Sequence, residues 1–143
     1  MSKDKRTYKI GEVYYMDFGS HENNEQSGLR PGIIFQNNKG NTFSPNVIAL
    51  PLTTALKKID MPTHVVLPSA DTGLPRNSMV LCENPVCISK SLIGEYITTI
   101  PDAYMEKVAV AHVYATASIA FIDPTALLSI WKNAASLNTI GGE

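Results

Sequence analysis

Apolar and polar residues alternate through residues 8–18, YKIGEVYYMDF, with Val13 and Tyr15 on one side and Tyr14, Met16 and Phe18 on the other. That period predicts a β-strand. Residues 32–37, GIIFQN, are apolar at consecutive positions, as in a strand buried on both faces, and the NKGNTFSP stretch after them reads as a loop. Further strands are predicted over 46–53 (NVIALPLT), 63–68 (THVVLP), 78–84 (SMVLCEN) and 92–100 (LIGEYITTI), separated by turn chemistry such as SADTGLPRN. Pro51 lacks an N–H, which marks 46–53 as an edge or bulged strand rather than a central one. Short strands at this spacing predict an antiparallel sheet curled into a small barrel.

The period changes at Pro101. Met105, Val108, His112, Ala115, Ile119 and Ile122 recur every three or four residues on one helical face, and Val110, Val113, Tyr114, Ala117 and Phe121 make a second face apolar. Such a helix needs two partners, the barrel on one side and another helix or subunit on the other. Asp123-Pro124 predicts the start of a second helix, with an N-cap followed by proline at the first helical position, and Leu127, Leu128 and Trp131 on one stripe. The SLNTIGGE tail is expected to fray. No repeat or long linker divides the chain, so residues 1–143 are expected to form one domain, with a core over about 9–122 and an additional C-terminal helix and tail over 123–143.

The uncharged stretch from Val108 to Ile122 would rise only about 22 Å as a helix, short of the ~30 Å hydrocarbon core, so no membrane span is expected. The amino terminus, MSKDKRTYK, lacks the apolar run of a secretory signal, and a cytoplasmic location is expected. With 143 residues, 44% of them apolar, the chain is of globular composition and needs neither metal nor disulfide to fold. Cys82 and Cys87 are poorly spaced to bridge each other and are expected to be reduced; His64 alone completes no metal site with them. Twelve Lys and Arg against thirteen Asp and Glu exclude a broadly basic, nucleic-acid-coating surface. Any contact with nucleic acid must be local.

Two polar stretches are the candidates for such a contact. Residues 19–31, GSHENNEQSGLRP, are long for a hairpin connection, and loops of that length are usually functional or disordered. Arg30 is either a stray surface charge or, fixed by Pro31 and the strand behind it with Gly28 turning the backbone, a guanidinium fork for an anionic group. Thr53 and Thr54 sit where the strand over 46–53 ends, and structure alone accounts for at least one of them. His64 opens a strand and Glu83 closes one; a lone histidine at a strand start is more often a surface residue than a catalyst.

In order along residues 9–122, KIGEVYYMDF, EQSGLRPGIIFQN, NVIALPLT, MPTHVVL and GLPRNSMVLCE, with the closing helix, resemble the MazF/PemK family of toxin endoribonucleases. The resemblance implies a mainly β, α+β fold: a small SH3-like antiparallel β-barrel, PemK/CcdB-like, with a C-terminal helix and here an extra terminal one. It implies a homodimer whose interface forms a groove for single-stranded RNA, sequence-specific cleavage without a metal or other cofactor, and a cognate MazE-like antitoxin. Arg30 falls on the family's catalytic arginine and Thr53, not Thr54, on its catalytic threonine. Glu25, Gln26 and Ser27, with Gly28 and Pro31, fall on the loop bordering RNA, and His64, Glu83 and Asn84 lie where members contact or position it. After the glutamate the family commonly reads Gln-x-Arg-Thr-Ile-Asp-Lys. This chain instead reads Asn84-Pro85-Val86-Cys87-Ile88-Ser89-Lys90, one residue short, and Val86 has neither the charge nor the donors of an arginine.

The chemistry implied is attack by a ribose 2′-OH on the adjacent phosphate, leaving a 2′,3′-cyclic phosphate and a 5′-OH. Arg30 would stabilise charge on the phosphoryl oxygens and Thr53 would hydrogen-bond one. Arginine is a poor base, and Glu25 or His64 is better matched to neutral pH. The alternative on the same barrel is a binding module: a CcdB-like inhibitor of DNA gyrase, or an RNA-binding protein that does not cleave. A purely structural or interaction domain, its polar loop merely solvated, is a third reading.

Overall fold

The computed structural model describes residues 6–19 and 28–138. Among these, seven strands form one antiparallel sheet: β1 (Glu12–Asp17), β2 (Leu29–Ile34), β3 (Asn46–Thr53), β4 (His64–Leu67), β5 (Ser78–Leu81), β6 (Val86–Ser89) and β7 (Ile93–Thr99). They pair in the order β4-β5-β3-β2-β1-β7, with β6 also paired to β3. The mainly β, α+β class is as expected, but the sheet is open: β4 and β7 end the path without pairing to each other. Closure would need a continuous ladder. Instead α3 (Asp102–Thr116) packs against β4 and covers that side.

β3 is the central strand, not an edge. One of its edges pairs with β2 from Ala49 to Pro51, and the other pairs with β6 over Asn46 to Ala49 and with β5 over Leu52 and Thr53. Pro51 falls at the joint between β6 and β5. A missing N–H is tolerated in mid-sheet there because no strand is paired on that edge at that point.

Three short elements escape the sequence pattern. Residues 38–43, read as loop, form α1 (Asn38–Phe43), whose N-cap Asn37 accepts a hydrogen bond from the Gly40 N–H at 2.8 Å. The turn-rich SADTGLPRN contains α2 (Ser69–Thr72), and the segment after Glu83 contributes β6. The two helices are too short to show a helical period, and β6 follows directly on the turn-forming Asn84-Pro85. The long C-terminal helix stops earlier than Ile122. Ala117 adopts a left-handed φ of +56°, a 3₁₀ turn follows over Ser118–Phe121, and α4 (Pro124–Leu137) begins at Asp123, whose carboxylate caps the Thr125 N–H.

Alternation along the strands separates two cores. Val13, Ile33, Leu50 and Leu52 lie with Val65, Leu67 and Val80 beneath Val108 and Ala111 of α3. Their neighbours Tyr14, Met16, Ile34, Val47 and Ala49 face the other way, with Tyr8, Ile88 and Ile93. Only one of α3's two apolar faces is therefore covered. No described helix is long and apolar enough to cross a membrane.

Both cysteines are free, as expected, Cys82 buried and Cys87 exposed. Burial, assisted by the charge of Glu83, pushes the Cys82 thiol up to about 12 from its ordinary 9.0. In the unfolded chain it ionises near 9, so this group's contribution to stability is complete below pH 9 and is lost as pH rises to 12. Cys82→Ala is expected to flatten the decline of the urea midpoint over that interval, and an unchanged slope would refute the assignment.

Candidate active site

The 19–31 connection leaves and re-enters the sheet through a glycine pair. Gly19 and Gly28 both take a φ of +82°, where a side chain would be strained. The Gly28 N–H donates to Gly19 O at 2.8 Å, and the Phe18 N–H donates to Gly28 O at 3.1 Å. Gly28 therefore turns the backbone as the sequence predicts. Glu25, Gln26 and Ser27 lie outside the described residues.

Two residues later the chain is in β2, where Arg30 pairs with Met16 of β1 and Gly32 with Pro51 of β3. Continuing the β2–β3 register by two residues sets Arg30 across from Thr53, and alternation puts both on the same side of the sheet. Arg30 is half-buried, and its Nη2 donates to the Leu52 carbonyl at 2.5 Å. That bond fixes the guanidinium beside the end of β3. The backbone at Gly32 runs close to β1: a Cβ there would stand 2.8 Å from Met16 Sδ and 2.9 Å from Phe18 Cζ, so those side-chain ends would have to shift.

Thr53 Oγ1 accepts the Ala55 N–H at 3.0 Å, which holds the hydroxyl at the strand exit. Its O–H proton can then donate outward. Arg30 and Thr53 line an open cleft of about 400 Å³ with Leu29, Pro31, Thr54 and Ser78. Ser78 was not legible as a site residue. Only the β3–β5 pairing brings it there, and its hydroxyl donates to Arg76 O at 2.8 Å. The arrangement offers a fixed cation and a hydroxyl donor to a tetrahedral anion.

His64, Glu83 and Asn84 stand apart from this cleft. His64 pairs with Leu81 on β5, and β5 separates it from β3, about 10 Å of sheet width. Its Nδ1 lies 2.9 Å from Lys58 O and its Nε2 3.0 Å from Glu83 Oε2. Both ring nitrogens thus face oxygens of neighbouring segments. The pair braces the connection between β3 and β4, in which Lys58 adopts a left-handed φ of +55°. Asn84 is exposed in the turn after β5, its N–H donating to Leu81 O at 3.1 Å.

Residues 9–111 match the model of the family described as PemK-like, MazF-like toxins of type II toxin–antitoxin systems. The chain is 37% identical over 100 residues to Endoribonuclease EndoA of Bacillus subtilis, spanning 70% of this chain and 86% of that protein. It is 35% identical over 98 residues to Endoribonuclease MazF of Staphylococcus saprophyticus, spanning 68% and 82%. An endoribonuclease solved in complex with its cognate antitoxin from a mycobacterial species is 28% identical, with a TM-score of 0.64 over 76% of this chain and 94% of that one. A MazF from Deinococcus radiodurans, 20% identical, shares the fold at a TM-score of 0.67 over 79% and 99%. The chain belongs to the PemK-like, MazF-like toxin family.

His64→Ala removes both bracing interactions. It is expected to lower stability by about 1–3 kcal/mol and to speed trypsin cleavage after Lys57 and Lys58, monitored by thermal denaturation and mass spectrometry. Unchanged proteolysis would remove the bracing role.

Proposed function

We propose that this chain, a MazF-type toxin endoribonuclease of a toxin–antitoxin system, cleaves single-stranded RNA at the Arg30–Thr53 cleft. The observation that carries the reading is the register that sets Arg30 opposite Thr53, with the guanidinium tied to the Leu52 carbonyl. A phosphodiester seated there would meet charge and donors from Arg30 and a hydrogen bond from Thr53. In-line attack by the neighbouring 2′-OH breaks the P–O5′ bond, leaving a 2′,3′-cyclic phosphate and a 5′-OH. This chemistry needs a base, an acid and charge stabilisation, and it proceeds without a metal.

Among the described cleft residues there is no carboxylate or imidazole, and His64 is engaged by Glu83. Glu25, five residues before Arg30 in the loop, is therefore our choice of base. Gln26 and Ser27, next to Glu25 in the sequence, are assigned to RNA contact on the family resemblance. A cognate antitoxin would silence the enzyme by occupying the same cleft, as a partner of the kind seen with the mycobacterial relative.

The working unit is a homodimer formed through the helices. The outer face of α3 is bare: Val110, Val113 and Tyr114 line, with Ile119 and Ala120 of the following turn, an apolar groove of about 500 Å³. Phe121 is 91% exposed and Trp131 of α4 73%. Monomers rarely leave so much contiguous apolar surface to water. No Asp, Glu, Lys or Arg occurs from Val108 to Ile122, which suits a buried two-fold contact because no charge on that stretch would be desolvated.

With EDTA present, Arg30→Ala and Thr53→Ala are expected to lower the cleavage rate of a long single-stranded RNA by about 10²- to 10³-fold at unchanged melting temperature. End-sequencing of the wild-type digest should find 5′-OH termini; full activity in both variants, or loss of wild-type cutting by EDTA, would refute the site or its metal independence. Phe121→Asp with Val113→Asp is expected to convert a dimer to a folded monomer in sedimentation velocity, and a variant that still sediments as a dimer would refute the interface.

A further inference from the structure

A second cleft, of about 660 Å³, opens where the amino-terminal arm crosses the corner between β6 and β7. Its walls carry Arg6, Tyr8, Ser89, Lys90 and Ser91, with Glu95 also at the lining. Arg6 and Lys90 approach the same ring, at 5.5 and 5.8 Å from the Tyr8 centroid, and Arg6 also lies 5.6 Å from that of Tyr14. Tyr8 itself is buried against Tyr14, so the aromatic pair forms a fixed floor that spaces two cations.

Each cation is tethered to one backbone carbonyl, Arg6 Nη1 to Gly94 O and Lys90 Nζ to Asn41 O at 2.6 Å. A guanidinium has five N–H groups and an ammonium three, so most of their donors remain available. The only ion pair among the described residues is His64–Glu83, so neither Arg6 nor Lys90 is neutralised by a described carboxylate, Glu95 included. Burial holds the Lys90 ammonium below its ordinary pKa, a desolvation that a bound anion would offset. Residue 89, next to the lysine, is a hydroxyl donor rather than an acid.

A fork, an ammonium and serine hydroxyls around one space suit a tetrahedral oxyanion with several acceptor oxygens. An acidic peptide segment is favoured less, because Pro45 and Ile93 are the only aliphatic residues offered to its side chains. The near edge of this cleft is also aligned with the proposed active site. Ile93 pairs with Met16, and Met16 with Arg30, which separates them by two strand spacings, about 10 Å.

We propose that the Arg6–Lys90 cleft is a phosphate-binding subsite that holds the RNA strand outside the bond being cleaved. This rests on the ribonuclease reading for the identity of the ligand, while the phosphate site itself does not. Arg6→Gln with Lys90→Met is the disrupting variant, and Lys90→Arg, which keeps the charge, controls for loss of the Asn41 tether.

Binding of a fluorescent, mixed-sequence 2′-O-methyl oligoribonucleotide, which cannot be cleaved, is measured by anisotropy across a salt series. The double variant is expected to bind about tenfold more weakly, with the log–log salt slope reduced by about 0.7 for each phosphate no longer neutralised; Lys90→Arg should restore most of both. Inorganic phosphate titrated into ¹⁵N-labelled protein should shift the Lys90, Ser91 and Gly94 amides in the wild type and not in the double variant. Unchanged affinity and slope, absence of those shifts, or loss of polyglutamate binding with oligonucleotide binding intact would each overturn the subsite. If wild type fails to cut or bind RNA yet shows the phosphate shifts, the ribonuclease reading and the strand-holding role fall together, and the anion site alone stands.

Discussion

Everything functional in this molecule depends on how β3 is paired. It shares one edge with β2 and divides the other between β6 and β5, so three segments distant in sequence take their register from eight residues. Side chains alternate along a strand, and a slip of one residue would send Thr53 to the face beneath α3 and Leu52 toward solvent. The two cores prevent that slip. Val47 and Ala49 are buried on one side and Leu50 and Leu52 on the other, and neither set could be exchanged without exposing apolar surface. The same alternation that fills the cores therefore delivers Arg30 and Thr53 to one cleft.

The near balance of charge acquires a local meaning in this setting. Twelve basic residues against thirteen acidic ones cannot make a general polyanion surface. A few cations can nevertheless be held in set orientations by the backbone. Arg30 is oriented by a backbone carbonyl, and Arg6 and Lys90 by two more, with a tyrosine between them. A carbonyl tether orients a cation without cancelling its charge, whereas His64 and Glu83 are bonded to each other. The partner of each charge decides its role more than its position in the sequence does.

The carboxy-terminal third follows a different logic. α3 buries Val108 and Ala111 against the sheet, while α4 has no buried residue of its own and touches the body through Asn138, whose side chain accepts the Asn38 N–H at 2.9 Å. An apolar helix fastened mainly at its far end gains little within a monomer. In the proposed homodimer its apolar stripe would be covered by the second copy.

Periodicity alone determined the long elements: the strand over 46–53 with its stated bounds, the alternation of β1, the helix after Pro101, and the Asp123-Pro124 start of α4. It also isolated the 19–31 loop and the Pro-Leu-Thr strand exit as unusual, and the family resemblance then pointed to Arg30 and Thr53 within them. It did not reveal α1 or α2, because four to six residues hold too few turns to show a helical period, nor β6, where Val86–Ser89 follows directly on the turn-forming Asn84-Pro85. Nor did it show that Pro51 is central, that Ser78 joins the cleft, that His64 is tied to Glu83, or that Arg6 meets Lys90 across Tyr8. These are facts about pairing between segments far apart along the chain. Local sequence sets each segment's faces, but only the register chosen when the two cores fill together decides which faces meet.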